Sequence, residues 1–368
     1  MFYHPVPVRV TYGMHVDGLS VFGVQNPSLL LQIVSISFED LAFRPQLQTT
    51  MAQRVQLAIL AENLRKLSFS SFHWTIFKEL AAGIPRANGG HQAGPSTVWP
   101  KLHTIDFRGR FNTTVGHSEC QDATWITASA PALESIAIYS PHAAPEHVPN
   151  GLRSLVFSVR DQVSEHILQS SATAANLRVL ALDDMHSTAS YNQPSAFRSM
   201  SAVLLAAAPR LSNLRTLNVR GFGPKNSLAD AVAVLVALPS LRTLRLLITG
   251  EGDVRRETAL LTRILNAANI RLHTLGLICL TSPTQRRGPL PSFVLDVFGK
   301  ARLPCLRTVL YAARREESGH VYPPIASRSN AQKLKALCIL RRVKFEVVEL
   351  ESNQVWIRDE LSRSHAVF

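Results

Sequence analysis

Asp183, Asp184 and His186 stand together in LALDDMHS at residues 180–187, two carboxylates and an imidazole close enough in the chain to exchange a proton in general acid/base chemistry. They follow an apolar run and therefore fall at a strand end, where acidic pairs cap turns, so a turn is the reading taken. His117, Glu119, Cys120 and Asp122 form a second cluster, but it mixes soft and hard ligands within one polar loop and has no second recognisable pair. The cysteines, Cys120, Cys279, Cys305 and Cys338, make no CxxC pair and have no histidine at zinc-ligand spacing, as expected for reduced thiols. GxSxG, GxxxxGKS/T, HExxH and strand-linked GxGxxG motifs are all missing. The expectation is a chain that is not an enzyme and holds neither metal nor cofactor.

Charge offers a different chemistry. Residues 1–240 carry 18 basic and 15 acidic side chains, whereas residues 241–368 carry 21 and 11, so most of the net +13 sits in the last third. Arginine pairs recur there at Arg255 and Arg256, Arg286 and Arg287, Arg314 and Arg315, and Arg341 and Arg342. Such a surface suits an acidic partner or nucleic acid, or is simply solvated. Only 8 of the 39 basic residues are lysine, a skew that GC-rich codon usage produces as readily as selection for bidentate anion contacts.

These side chains are positioned by a short phrase, apolar-x-x-apolar-x-apolar, that returns along the chain: NLRKLSF at 63–69, NLRVLAL at 176–182, NLRTLNV at 213–219 and SLRTLRL at 240–246. Eleven candidate strands follow, from Ile33, Ile36 and Phe38 to Phe345, Val348 and Leu350. Their first positions are spaced 31, 38, 31, 19, 25, 37, 27, 31, 34 and 39 residues apart. Regular leucine-rich units run roughly 20–29 residues, so the repeats are irregular and the excess must leave as helices or loops. Helical periodicity covers 50–62, 195–208, 227–238, 256–268, 291–301 and 331–342, and Pro100, Pro131, Pro209, Pro239 and Pro304 sit between helix and strand. Residues 83–98, 142–150, 281–290 and 314–329 read as exposed loops. The fold class is thus α/β, a leucine-rich repeat solenoid (horseshoe) with a parallel concave sheet and helices on the convex side.

Numbering each unit from its first leucine, alternation sends positions one, four and six inward and positions three, five and seven to the concave face. The third-position column is rich in hydroxyls: Thr104, Ser135, Ser154, Thr216, Thr243, Thr274 and Thr308. Columns five and seven change character along the array, from a polar middle with Arg108, Tyr139, Asp183, Arg220 and Arg245 to an apolar set of Leu247, Ile278 and Leu310. These eight residues are the candidate partner-binding site, with the apolar three as its anchor. Arg65, Arg153, Arg178, Arg215, Arg242 and Arg307, each following a first leucine, make a separate stripe along the strand entrances that caps and solvates the sheet edge or tracks an anion.

PSLRTLRL, SNLRTLNV and LPCLRTV, each after an amphipathic helix, resemble the degenerate leucine-rich repeats of fungal F-box-type proteins, especially those of basidiomycetes. The resemblance covers residues 26–352, with an N-terminal segment or cap at 1–25 and a C-terminal tail at 353–368. It implies substrate reading by the repeats and docking on a Skp1-type adaptor of a ubiquitin ligase through an F-box. Residues 1–25 depart from that pattern, showing no leucine-proline opening followed by a helical trio, as in a shortened relative that keeps the recognition half. The expected function is non-enzymatic protein recognition on the concave face; the alternative is a basic nucleic-acid-associated protein using the arginine-rich last third. No secretory leader or apolar stretch long enough to span a bilayer is read, so no membrane role and a cytoplasmic or nuclear location are expected.

Overall fold

The structure, a computed structural model of the chain, describes residues 8–10, 30–38, 57–69, 98–107, 124–138, 148–158, 167–183, 200–219, 228–249, 254–268, 271–280, 290–314 and 325–350. The chain divides into two compact units, Met1–Thr173 and Ala174–Phe368. In the first, β1 (Val8–Val10), β2 (Ile33–Phe38), β3 (Lys66–Phe69), β4 (Thr104–Phe107), β5 (Ser135–Ile138) and β6 (Ser154–Ser158) pair in chain order, every pair parallel. In the second, β7 (Val179–Asp183), β8 (Thr216–Val219), β9 (Thr243–Thr249), β10 (Thr274–Leu280), β11 (Thr308–Arg314) and β12 (Lys344–Leu350) do the same. Each unit is therefore α/β and solenoid-like, because a parallel neighbour can be reached only by a crossover on the way.

Helix α1 (Ser171–Asn176) precedes β7, and helices α2 (Met200–Ala207), α3 (Leu228–Ala237), α4 (Val254–Ala268), α5 (Ser292–Lys300) and α6 (Ile325–Leu340) supply the crossovers of the second unit, each packing on the next. In the first unit the described crossovers hold only helical turns, at 57–60, 124–128 and 167–169. Helix α6 begins at Ile325, six residues ahead of the periodicity and inside the stretch expected to be loop. The remaining expected loops fall almost wholly outside the described residues.

Strands β3 to β9 and β11 are entered through the same small turn. The amide of the first-position leucine donates to a carbonyl three residues back, as in Leu102 to Trp99, Leu133 to Ala130, Leu241 to Leu238 and Leu306 to Leu303. In those four turns proline is the second residue, its φ preset for that place. Where proline is missing, asparagine does a related job across repeats. Asn63 Nδ2 donates to the Leu31 carbonyl at 2.7 Å and Asn213 Nδ2 to that of Ala175 at 2.8 Å, both acceptors lying two residues before the preceding unit's first position.

The first- and fourth-position residues then fill the core: Leu64, Leu67, Leu102, Ile105, Leu133 and Ile136 in one unit, Leu177, Leu180, Leu214, Leu217, Leu241 and Leu244 in the other, all fully buried. Each contributes about 1.5–3 kcal/mol by leaving water, and none could do so without the next unit's layer against it. The first unit adds Trp99, whose Nε1 donates to the Ala58 carbonyl at 2.7 Å and whose ring meets Trp125 edge-on at 6.0 Å. The bond satisfies a carbonyl that the short helix at 57–60 leaves open.

Two features differ from the sequence reading. Val8–Val10, inside the N-terminal segment or cap where no strand was read, is a strand that pairs with β2 across a register shift between Val8 and Arg9. The last unit is also offset: Phe345 pairs with Val309 and occupies the fourth position rather than the first, its ring stacked on that of Tyr311 at 6.5 Å. The offset follows from how α6 ends. Val343 N–H bonds to the Cys338 carbonyl and Arg342 N–H to that of Ile339, a Schellman closure with Arg342 in the left-handed region at φ 57° and with Val343 and Cys338 both buried.

Two stability outcomes are expected in urea denaturation. Trp99→Phe lowers stability by about 1–3 kcal/mol, since the Ala58 carbonyl loses its buried donor. Arg342→Gly raises it by about 0.5–1 kcal/mol, because glycine adopts the left-handed conformation without the steric penalty of a β-carbon.

Candidate functional site

The ladders turn sequence columns into physical rows. In the second unit, Ala181, Asn218, Arg245, Gly276, Leu310 and Glu346 are successive register partners, which is the fifth-position column of the sequence. In the first unit the same column runs Ser68, Asp106, Ala137 and Val156. The alternation leads one to expect this column on an open face, yet most of it is withdrawn from solvent. Ser68 is 5% exposed, Asp106 2% and Asn218 5%, and every residue of β4 and β5 is buried. Strands about 4.8 Å apart place short side chains in one another's shade, and Ser, Ala, Val and Gly are short.

Of the eight predicted binding residues, Arg108, Tyr139 and Arg220 lie outside the described residues. Asp183 ends β7. Leu247 and Ile278 are register partners on β9 and β10. Arg245 is half-buried between Asn218 and Gly276 in its row. Leu310 is 7% exposed and belongs to the buried part of the column, which corrects its reading as an open apolar anchor. The row therefore offers one long polar side chain, Arg245, beside a short buried amide, and a second at its far end, where Glu346 pairs with Lys344.

The second-position residues are held most tightly. The carbonyl of Arg178 accepts the amides of both Arg215 and Thr216 at 2.9 Å; that of Arg215 accepts Arg242 and Thr243 at 2.8 and 2.9 Å. The carbonyl of Arg242 accepts His273 and Thr274, and that of His273 accepts Arg307 and Thr308. Arg178, Arg215, Arg242, His273 and Arg307 consequently stand side by side along the entrances of β7 to β11. Arg215 and Arg307 are exposed and the other three half-buried. The third-position residues that follow them, Val179, Thr216, Thr243, Thr274 and Thr308, carry no charge. In the first unit the corresponding row is Arg65, His103, Glu134 and Arg153, interrupted by a carboxylate that pairs with Arg153 at 3.4 Å.

His273 is the member of this row that the arginine pattern hides, because RLHTLGL at 271–277 places a histidine where SLRTLRL has arginine. Aligning the units by their leucines exposes it. Desolvation, and then the guanidinium groups of Arg307 and Arg242 on either side, hold its imidazole below the ordinary 6.5.

Other charged and nucleophilic candidates are structural. Arg341 donates to the carbonyls of Ala301 and Gly299 at the end of α5 and lies over the Phe298 ring at 5.2 Å. Arg342 closes α6 through its backbone and is itself exposed. The Cys338 thiol is buried and pushed up to about 11 by desolvation, with Arg341 acting weakly in the other direction. His117, Glu119, Cys120, Asp122, Asp184 and His186 lie outside the described residues. Among the described residues no group of three His, Cys, Asp or Glu side chains could hold a metal ion, and no helix is long and apolar enough to cross a membrane. Compared with known proteins, the chain matches no family model and no curated protein.

The depressed imidazole has a consequence for folding. Above the ordinary value of 6.5 His273 is neutral in both states and adds no pH dependence; as pH falls below it the unfolded chain takes up the proton first, so the folded state loses stability until the folded imidazole also protonates. Between about pH 8 and about pH 5, His273→Gln should therefore show a smaller fall in urea midpoint than the parent chain.

Proposed function

We propose that the chain is a non-enzymatic protein-recognition solenoid of the leucine-rich repeat kind. The observation that carries this reading is the register itself: in the second unit, six parallel strands align chemically distinct columns into straight rows, a polar one through Asn218 and Arg245 beside an apolar one through Leu247 and Ile278. Rows of this kind give a partner an extended surface with graded chemistry, and recognition needs no reacting group. The likeness of PSLRTLRL and SNLRTLNV to repeats of fungal F-box-type proteins extends the proposal to the substrate-reading part of a ubiquitin-ligase system.

The second reading, a nucleic-acid-associated protein using residues 241–368, draws on the +10 charge of that stretch and on the basic strand entrances. It is weakened by Arg341, whose guanidinium is engaged at the end of α5.

Affinity capture with the parent chain and with Leu247→Asp plus Ile278→Asp separates these readings. Loss of the captured proteins by the double variant, with its circular dichroism unchanged, supports protein recognition through this row. Capture of the same set overturns it. Arg245→Ala gives a milder second variant. A Skp1-type adaptor among the captured proteins supports the ligase extension, and captured nucleic acid supports the second reading.

A further inference from the structure

We propose that the entrance row of Arg178, Arg215, Arg242, His273 and Arg307 is a docking edge for an acidic, extended segment of a protein partner. This deepens the protein-recognition reading by naming the partner's chemistry.

Four observations converge on it. The row is built by backbone bonds, each second-position carbonyl accepting the next residue's amide, so the spacing of its side chains is imposed at about 4.8 Å per strand and does not depend on their own preferences. Like charges are thereby held beside one another with no carboxylate among the five positions, whereas the equivalent row of the first unit carries Glu134 paired with Arg153. An anion laid along the row offsets the mutual repulsion of its arginines. Exposure is right for contact from solvent: Arg215 and Arg307 are open and Arg178, Arg242 and His273 are half-open. The row also has hydrogen-bonding capacity beside it, since threonine follows Arg215, Arg242, His273 and Arg307 in sequence.

Protein is favoured over nucleic acid by what the row lacks. None of its five residues is Phe, Tyr or Trp, and neither are their third-position neighbours, so unpaired bases have no stacking platform here. An extended polypeptide rises about 3.3 Å per residue and can set carboxylates opposite guanidinium forks across the roughly 19 Å of five strands. His273 supplies a built-in signature. The charged groups acting on it are Arg307 at the entrance of β11 and Arg242 at that of β9, both cationic. A bound carboxylate replaces that environment with an attractive one, so binding takes up a proton and strengthens as pH falls.

The test is fluorescence anisotropy of a short labelled poly-glutamate peptide on the full chain, with poly-lysine and an oligothymidylate of the same length beside it. The parent is expected to bind poly-glutamate, to weaken with added salt, and to bind more tightly at about pH 6 than at about pH 8. Arg215→Glu with Arg307→Glu, both at exposed positions, should lower affinity by roughly tenfold or more. His273→Gln should flatten the pH dependence. Absence of poly-glutamate binding, or equal binding by the charge-reversed chain, overturns the docking edge. Tighter oligothymidylate binding that the same reversals abolish assigns the row to nucleic acid instead. Should the reversed chain still capture the proteins lost by the Leu247 and Ile278 variant, only this inference fails and protein recognition stands.

Discussion

A single backbone acceptor governs the arrangement of this protein. At the entrances of β4 to β6 and of β8 to β11, the carbonyl of the preceding unit's second-position residue takes two amides from the following unit, those of its second- and third-position residues. One bond would tolerate a slip. Two bonds to one oxygen, added to a turn that fixes the leucine before them, leave a single pairing, and a one-residue slip would turn every core leucine outward. Crossovers of very different length therefore matter little to register, because each strand is aligned at its entrance and only then extended.

That constraint also decides what the surface can be. Columns are compulsory neighbours whatever their chemistry, so leucines stack into a continuous core and arginines stack into a continuous charge. In the first unit the chain breaks up the charge with Glu134. In the second it substitutes an imidazole, His273, which can give up its proton between Arg242 and Arg307 where a guanidinium could not. The row is then four fixed charges around one variable charge.

The strands of the middle units were legible because their leucines obey a short rule and their entrances are marked by proline or asparagine. Helices α2 to α5 were legible for the same kind of reason, since their periodicity ends at a recognisable stop. Val8–Val10 was not, as three residues hold no period. The last unit misled because VKFEVVEL offers several apolar frames, and the frame was chosen by Arg342 in a left-handed turn, a conformation that sequence patterns reserve for glycine. Of the candidate site, the adjacency of Leu247 and Ile278 and the basic stripe could be read from the columns. The burial of Leu310 could not, because alternation predicts the face of a strand but not how far neighbouring rows shade it.

Shading changes where information can reside on such a sheet. A column of Ser, Ala, Val and Gly is nearly closed to solvent even on the face away from the helices, and a partner touching it meets little but neighbouring side-chain tops. Long side chains are what rise above it. In the fifth column of the second unit these are Arg245 and Glu346, of which Glu346 pairs with Lys344. At the strand entrances they are four arginines and a histidine. Long polar side chains, set at an imposed spacing against short neighbours, are the positions from which this protein can distinguish one partner from another, and in the second unit those at the entrances are all basic or able to become so.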